Sequence, residues 1–178
     1  MTPTTQVPSV EEISRRAAEN AFGSPVVVNN LRGLVVETIV DAALSPEWTW
    51  TAKDWAGWDF SHSDGTRLEV KQSAAQQSWA QRKPTPARFD IAERTGRYEG
   101  ATWVSQSGRA AHIYLFAYNE KLGCQTDHRD PRQWIFYVVP STRLPNQRSI
   151  GLPAILNLSV AVRWEDLLTA LERARLQL

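Results

Sequence analysis

The sequence predicts a single α/β domain, a central β-sheet flanked by helices, and three features carry that prediction. Helical periodicity marks both ends of the chain, over residues 11–44 and again from about Trp164 to Leu176. Two apolar runs, HIYLFAY (112–118) and WIFYVV (134–139), have the length and the β-branched and aromatic content of buried strands. Between these regions GWDFSH and TRLEVKQ alternate about the turn Ser63-Asp64-Gly65, the pattern of a hairpin.

With 178 residues, 42% hydrophobic and 22% charged, the chain has the composition of one ordinary soluble domain with a sizeable core. Eight tryptophans add large apolar surfaces, and the indole N–H of each buried one needs a partner. The first ten residues, polar and proline-punctuated, read as a flexible tail before a domain spanning 11–178, not as a signal peptide. No stretch is long and apolar enough to span a bilayer, so no membrane partner is expected. Cys124 is the only cysteine, which excludes an internal disulfide framework and fits a reducing compartment. The expectation is a cytoplasmic protein.

In chain order, Glu11 to Asn20 forms a short helix, and Ser24-Pro25 has the residue types of an N-cap and first turn, opening a longer helix to about Leu44. On that helix Asn30, Gly33, Glu37 and Asp41 make a polar stripe beside Val27, Leu31, Leu34, Val35, Ile39 and Ala42. EWTWTAKDW (47–55) alternates as a strand, the hairpin follows, and SAAQQSWAQ (73–81) reads as a helix with Ser73 as N-cap. A proline-broken basic stretch, the two apolar strands and the terminal helix complete the chain. No repeat, low-complexity segment or domain boundary interrupts it.

The net charge of +1 hides an uneven distribution: the first eighty residues are net acidic, and residues 81–150 are net basic. Arg82, Lys83, Arg88, Arg94, Arg97 and Arg109 fall close together there, interleaved with Phe89, Tyr98 and Trp103. Such a surface can grip a phosphate backbone, although a solvated loop face has the same composition.

The hairpin concentrates the chemistry. A three-residue loop with Gly65 left-handed pairs His62 with Thr66, Phe60 with Leu68 and Asp59 with Glu69. Both acids then share a face with Lys71, and Phe60, Leu68 and Val70 take the opposite one. A two-residue Asp-Gly turn would instead set Asp59 against Val70 and scatter the group. Two facing carboxylates repel by roughly 0.2–1 kcal/mol on an exposed sheet, and more if desolvated. Lys71 can neutralise one, as in an ordinary surface ion pair; with Mg²⁺ or Mn²⁺ the same oxygens become hard donors that leave room for water and a phosphate.

The order of a helical Glu37, a strand with Asp59, a hairpin turn, Glu69-Val70-Lys71 and a helix at Ser73 resembles the PD-(D/E)XK nuclease superfamily. That family has the restriction-endonuclease-like fold, a central mixed sheet flanked by helices in α-β-β-β-α-β order around a metal site. The similarity covers about Arg32 to Trp79. Asp59 matches the motif's first acid, Glu69 and Lys71 its E-x-K, and Glu37 the acid that many members carry on the first core helix; Trp58 stands where the motif has proline. The resemblance implies that Asp59, Glu69 and the Val70 carbonyl hold Mg²⁺ or Mn²⁺, that Glu37 completes the shell or acts through water, and that Lys71 orients or deprotonates the attacking water. It implies a DNA endonuclease of a restriction, repair or mobile-element system, with RNA as a second substrate class. A homodimer or partner subunit would serve double-strand cutting.

Arg82, Lys83, Arg88, Arg94 and Arg97 are the expected nucleic-acid contacts, with Gln76 or Gln77 from the helix after the hairpin. Gln72 is expected on the opposite face, bonding to neighbouring backbone. His62 at the turn reads as solvent-facing, His112 as a strand boundary, and Cys124 to His128 as a loop, since a lone C-x-x-x-H makes a poor zinc site. No phosphate-binding glycine motif occurs, so no nucleotide-cofactor activity is indicated. Two further classes compete with the nuclease: a catalytically weak nucleic-acid-binding module or subunit of a larger nuclease complex, and an interaction protein whose basic block binds an acidic partner. Phosphate binding weakens steeply with salt, which separates those two.

Overall fold

A computed structural model of the chain describes residues 7–51, 57–99 and 102–178. Helix α1 (Val10–Phe22) starts one residue inside the expected tail, because the Ser9 side chain accepts a hydrogen bond from the Glu12 N–H and caps it. The next helix, α2 (Asn29–Leu44), opens later than Ser24-Pro25 suggested. The segment before it is a tether: the Pro25 carbonyl accepts from the His128 N–H at 2.8 Å, and the Val27 N–H donates to His128 Nδ1 at 3.2 Å. These long-range bonds hold residues 24–28 out of the helix.

Strands β1 (Trp48–Trp50), β2 (Phe60–His62), β3 (Arg67–Ala74), β7 (Ile113–Asn119) and β8 (Trp134–Pro140) form a five-stranded mixed sheet in that order. β1, β2 and β3 run antiparallel in succession, β7 lies parallel to β3, and β8 is antiparallel to β7. The strand expected over 47–55 is observed at Trp48–Trp50; positions 52–56, with Trp55, lie outside the described residues. The parallel β3–β7 connection carries two small antiparallel ribbons in place of a helix. One pairs β4 (Arg88–Asp90) with the distant β9 (Ser149–Gly151), and the other pairs β5 (Arg97–Glu99) with β6 (Thr102–Val104). Short α3 (Leu152–Leu156) and the terminal α4 (Leu167–Arg175), preceded by a 3₁₀ turn at Trp164–Asp166, end the chain.

The helix expected over Ser73–Gln81 is therefore absent. Ser73 and Ala74 extend β3, pairing with Tyr118 and Asn119 of β7, and Ala74 and Ala75 are buried. The helix preference of Ala74 and Ala75, a fraction of a kcal/mol each, yields here to the ladder with β7 and to burial.

Both faces of the sheet are covered, which accounts for the uninterrupted apolar runs in β7 and β8. On one face Val36, Val40 and Leu44 of α2 and Leu167 and Leu171 of α4 pack on Phe60, Leu68, Leu115 and Phe136. On the other, Phe89, Ile91, Ile150 and Ile155 pack on Tyr114, Phe116 and Tyr137. The buried indoles find the partners they require, Trp48 Nε1 donating to Glu172 and Trp134 to the His128 carbonyl, and the half-buried Trp164 donates to the Ile39 carbonyl.

Candidate functional site

The hairpin that carries the acids closes as its turn chemistry dictates. Gly65 has φ +87°, the left-handed conformation that favours glycine, and the Asp64 side chain accepts from the Thr66 N–H at 2.9 Å. His62 bonds Thr66 through the backbone, and Phe60 lies opposite Leu68. One residue further the strands part. The Asp59 N–H donates to the Leu68 carbonyl at 2.9 Å, and the Asp59 carbonyl is held by Thr51, whose N–H and hydroxyl donate at 2.8 and 2.7 Å. Freed from the ladder, the Asp59 carboxylate reaches across and accepts from the Val70 N–H at 2.6 Å. Asp59 thus meets the Glu69-Val70-Lys71 segment through its side chain; the expected ladder pairing with Glu69 is replaced by this bond.

Glu69 and Lys71 form an ion pair with side chains 17% and 27% exposed. Glu37, on the helix-covered side, accepts from Trp50 Nε1 at 3.1 Å. These groups act on one another. Burial first, then repulsion from Glu69 and Glu37, pushes the Asp59 carboxyl up to about 8, against the Val70 N–H and Lys71, which favour its charge. Burial and Glu69 likewise raise Glu37, opposed by Trp50 and Lys71. Burial disfavours the Lys71 ammonium, but Glu69, Asp59 and Tyr114 outweigh it and the group is raised. Three carboxyls share one lysine, so the group favours protonation of Asp59 and Glu37 over a full set of buried negative charges.

Glu69 and Lys71 line a cleft of about 350 Å³ together with Asp90, Arg94, Arg97, Tyr98, Trp103, Arg109 and Tyr114. Of the expected phosphate contacts, Arg94 and Arg97 border this cleft. Arg82 and Lys83 lie in a separate groove beside Trp79 and Leu122, and Arg88 is exposed with its guanidinium on Ser149. Arg109 joins the cleft while donating to the carbonyls of Ile91, Leu144 and Pro145. Gln77 is not available to nucleic acid: it is buried, accepting from Arg32 at 3.0 Å and donating to the Ala74 carbonyl at 2.7 Å. Gln76 instead fixes the 123–126 loop, accepting from the Gly123 N–H and Thr126 hydroxyl.

Gln72 does point to the opposite face, but its partner is Arg32, whose Nε donates to it at 2.6 Å. Arg32 is 2% exposed and also donates to Asn29 at 2.6 Å, so three neutral amide oxygens hold a buried guanidinium. His62 is half-buried, with its ring edge-on to Trp48 and its Nδ1 3.0 Å from an Asp64 carboxyl oxygen, in place of the expected solvent-facing position. His112 accepts from the Arg67 N–H at 3.0 Å, the role of a boundary residue. Cys124 is exposed and His128 fully buried, the latter held well below its ordinary value at about 4, chiefly by burial.

Tyr114 is the residue that sequence reasoning missed. It pairs with Glu69 in the parallel β3–β7 register and therefore shares its face. Burial and Glu69 push its phenol up to about 12, so it remains a neutral donor beside the ion pair. The alternation of β7 shows that Tyr114 and Phe116 share a face; only the register says which face of β3 that is.

The donor set suits a hard divalent cation in kind: carboxylate oxygens in excess of the local positive charge, one of them held in the raised state that a cation relieves. Its convergence is partial, since among the described residues no three His, Cys, Asp or Glu side chains group closely enough to hold an ion as they stand. Asp59 and Glu69, flanking the Val70 N–H, would supply the nearest donors, with Glu37 acting through water. Among the described residues no helix is long and apolar enough to cross a membrane. No protein-family model and no curated protein matches the chain.

Proposed function

We propose that this chain is a metal-dependent deoxyribonuclease of the PD-(D/E)XK type, an endonuclease that hydrolyses DNA phosphodiester bonds. The observation that carries the proposal is the meeting of Asp59, Glu69 and Lys71 where β2 and β3 part, with Glu69 and Lys71 opening into a cleft lined by arginines. The order of α2, three antiparallel strands and a fourth parallel to the third supports the restriction-endonuclease-like reading, with the connecting helix replaced by ribbons.

Mg²⁺ or Mn²⁺ held by Asp59 and Glu69, with the Val70 carbonyl and Glu37 completing the shell, would polarise the scissile phosphate and lower the pKa of an attacking water. Lys71, released from full neutralisation of Glu69, orients that water and stabilises the negative charge that develops on the phosphoryl oxygens. Tyr114, a neutral donor at neutral pH, adds a hydrogen bond on the same face. Arg94 and Arg97 position the backbone of the substrate.

A second reading, a catalytically weak nucleic-acid-binding module or a subunit of a larger nuclease, draws on the partial convergence of the acids. One experiment separates them: plasmid cleavage with Mg²⁺, Mn²⁺ or EDTA, and Ca²⁺-supported DNA binding, for the parent and Lys71→Ala. The nuclease reading expects binding to persist while cleavage falls by about 10²-fold or more, the effect of losing one preorganised electrostatic group. Unchanged cleavage refutes the role of Lys71, and absence of metal-dependent cleavage by the parent favours the second reading.

A further inference from the structure

Two large aromatic side chains stand open to solvent on the wall of the cleft that contains Glu69 and Lys71. Tyr98 on β5 and Trp103 on β6 are 42% and 50% exposed. They are a register pair across the ribbon and meet edge to face at 5.1 Å. Neither belongs to the two core clusters. A Cβ on Gly96 would lie 2.5 Å from Cζ2 of Trp103, so the glycine is what lets the indole lie flat against the chain and keep its remaining surface turned outward. The ribbon thus presents aromatic surface that packing does not require.

The surroundings say what that surface is for. Among the described residues the cleft lining sets Lys71, Arg94, Arg97 and Arg109 against the acids Glu69 and Asp90, more basic than acidic side chains, which suits an anionic ligand. Its volume, about 350 Å³, is at the small end of the range for small-molecule pockets and is of nucleotide size. Inside a duplex each base shows only its edges in the grooves, because its faces are covered by neighbouring bases. Aromatic side chains engage base faces only where the strand is unstacked.

We propose that the cleft takes an unpaired nucleotide, its base stacked on Trp103, which Tyr98 braces edge to face, and its phosphate facing Lys71, Arg94 and Arg97, so that single-stranded or frayed DNA binds in preference to intact duplex. This rests on the nuclease reading of the same site and adds the strandedness of its substrate.

The test is fluorescence anisotropy in Ca²⁺ at fixed salt, with a short labelled oligothymidylate, an abasic strand of equal length and a blunt duplex. The abasic strand keeps the phosphates and lacks the bases, so it separates stacking from charge. Oligothymidylate is expected to bind at least about fivefold more tightly than the abasic strand, the scale of one stacked base. Trp103→Ala and Tyr98→Ala each remove most of that preference and leave abasic affinity unchanged, whereas Trp103→Phe retains most of it, which rules out a folding defect as the cause. Equal affinity for all three ligands, or tighter binding of the duplex, overturns the proposal. Mg²⁺-dependent cleavage of the same ligands is scored in parallel. Cleavage without base-dependent binding removes the stacking cleft and leaves the nuclease; base-dependent binding without cleavage of any substrate upholds the cleft and removes the nuclease.

Discussion

Asp59 offers a test of the proposed metal site that needs no substrate. Its carboxyl is pushed from the ordinary 3.8 up to about 8, chiefly by burial and then by Glu69 and Glu37. Between those two values the folded chain holds a proton on Asp59 that the unfolded chain has released. Unfolding free energy therefore falls as pH rises through that window, the loss being absent below it and complete above it. Each pH unit is worth about 1.4 kcal/mol, which caps the loss near 6 kcal/mol; partial solvent contact brings it to about 2–3 kcal/mol between pH 5 and 9. Asp59→Asn removes the titration, and its amide oxygen can still accept from the Val70 N–H that the carboxylate meets at 2.6 Å. Urea unfolding in EDTA across that range should show the parent losing about 2–3 kcal/mol relative to the variant. At pH 9, Mg²⁺ at a hundredfold excess over its Kd should restore about 2.7 kcal/mol to the parent, since a ligand that binds only the folded state stabilises it. The variant should gain little. Parallel pH profiles for the two proteins would refute the electrostatic account of Asp59, and equal Mg²⁺ responses would refute its role as a ligand.

Two further outcomes follow from the placement of the cations. Arg94→Ala and Arg97→Ala should each reduce the slope of log binding constant against log salt by about one, as expected for a lost phosphate contact. Arg82→Ala and Lys83→Ala, in a separate groove, should leave that slope unchanged; an equal fall in slope for all four variants would show that the cleft does not set the path of the backbone. Arg32→Ala should lower unfolding free energy by about 2 kcal/mol or more in chemical denaturation, because it strands the amide oxygen of Gln77 in the interior and takes a partner from the half-buried Gln72. A loss below about 1 kcal/mol would mean that these amides find other partners.

By itself the sequence determined the features whose causes are local. The hairpin register follows from Ser63-Asp64-Gly65, since a left-handed glycine at the third position closes a three-residue loop and sets Phe60 against Leu68. The body of α2, the strands β7 and β8 and the terminal helix follow from the period and length of their apolar patterns. Only the tertiary structure decided the rest, because the deciding partners lie far away in the chain. Residues 73–75 carry the helix preference of two alanines, and pairing with Tyr118 and Asn119 overrides it and makes Ser73 and Ala74 strand. Ser24-Pro25 has the residue types of a helix start, yet His128 holds the segment extended. The Asp59 side chain leaves the ladder because the Leu68 carbonyl and Thr51 claim its backbone. Tyr114 joins Glu69 through a parallel register that no alternation within one strand can reveal. The basic residues of 81–109 are split between two grooves and, for Arg88, an exposed site outside both, because the β3–β7 connection folds back as ribbons, and charge counted along a chain carries no record of where a connection turns.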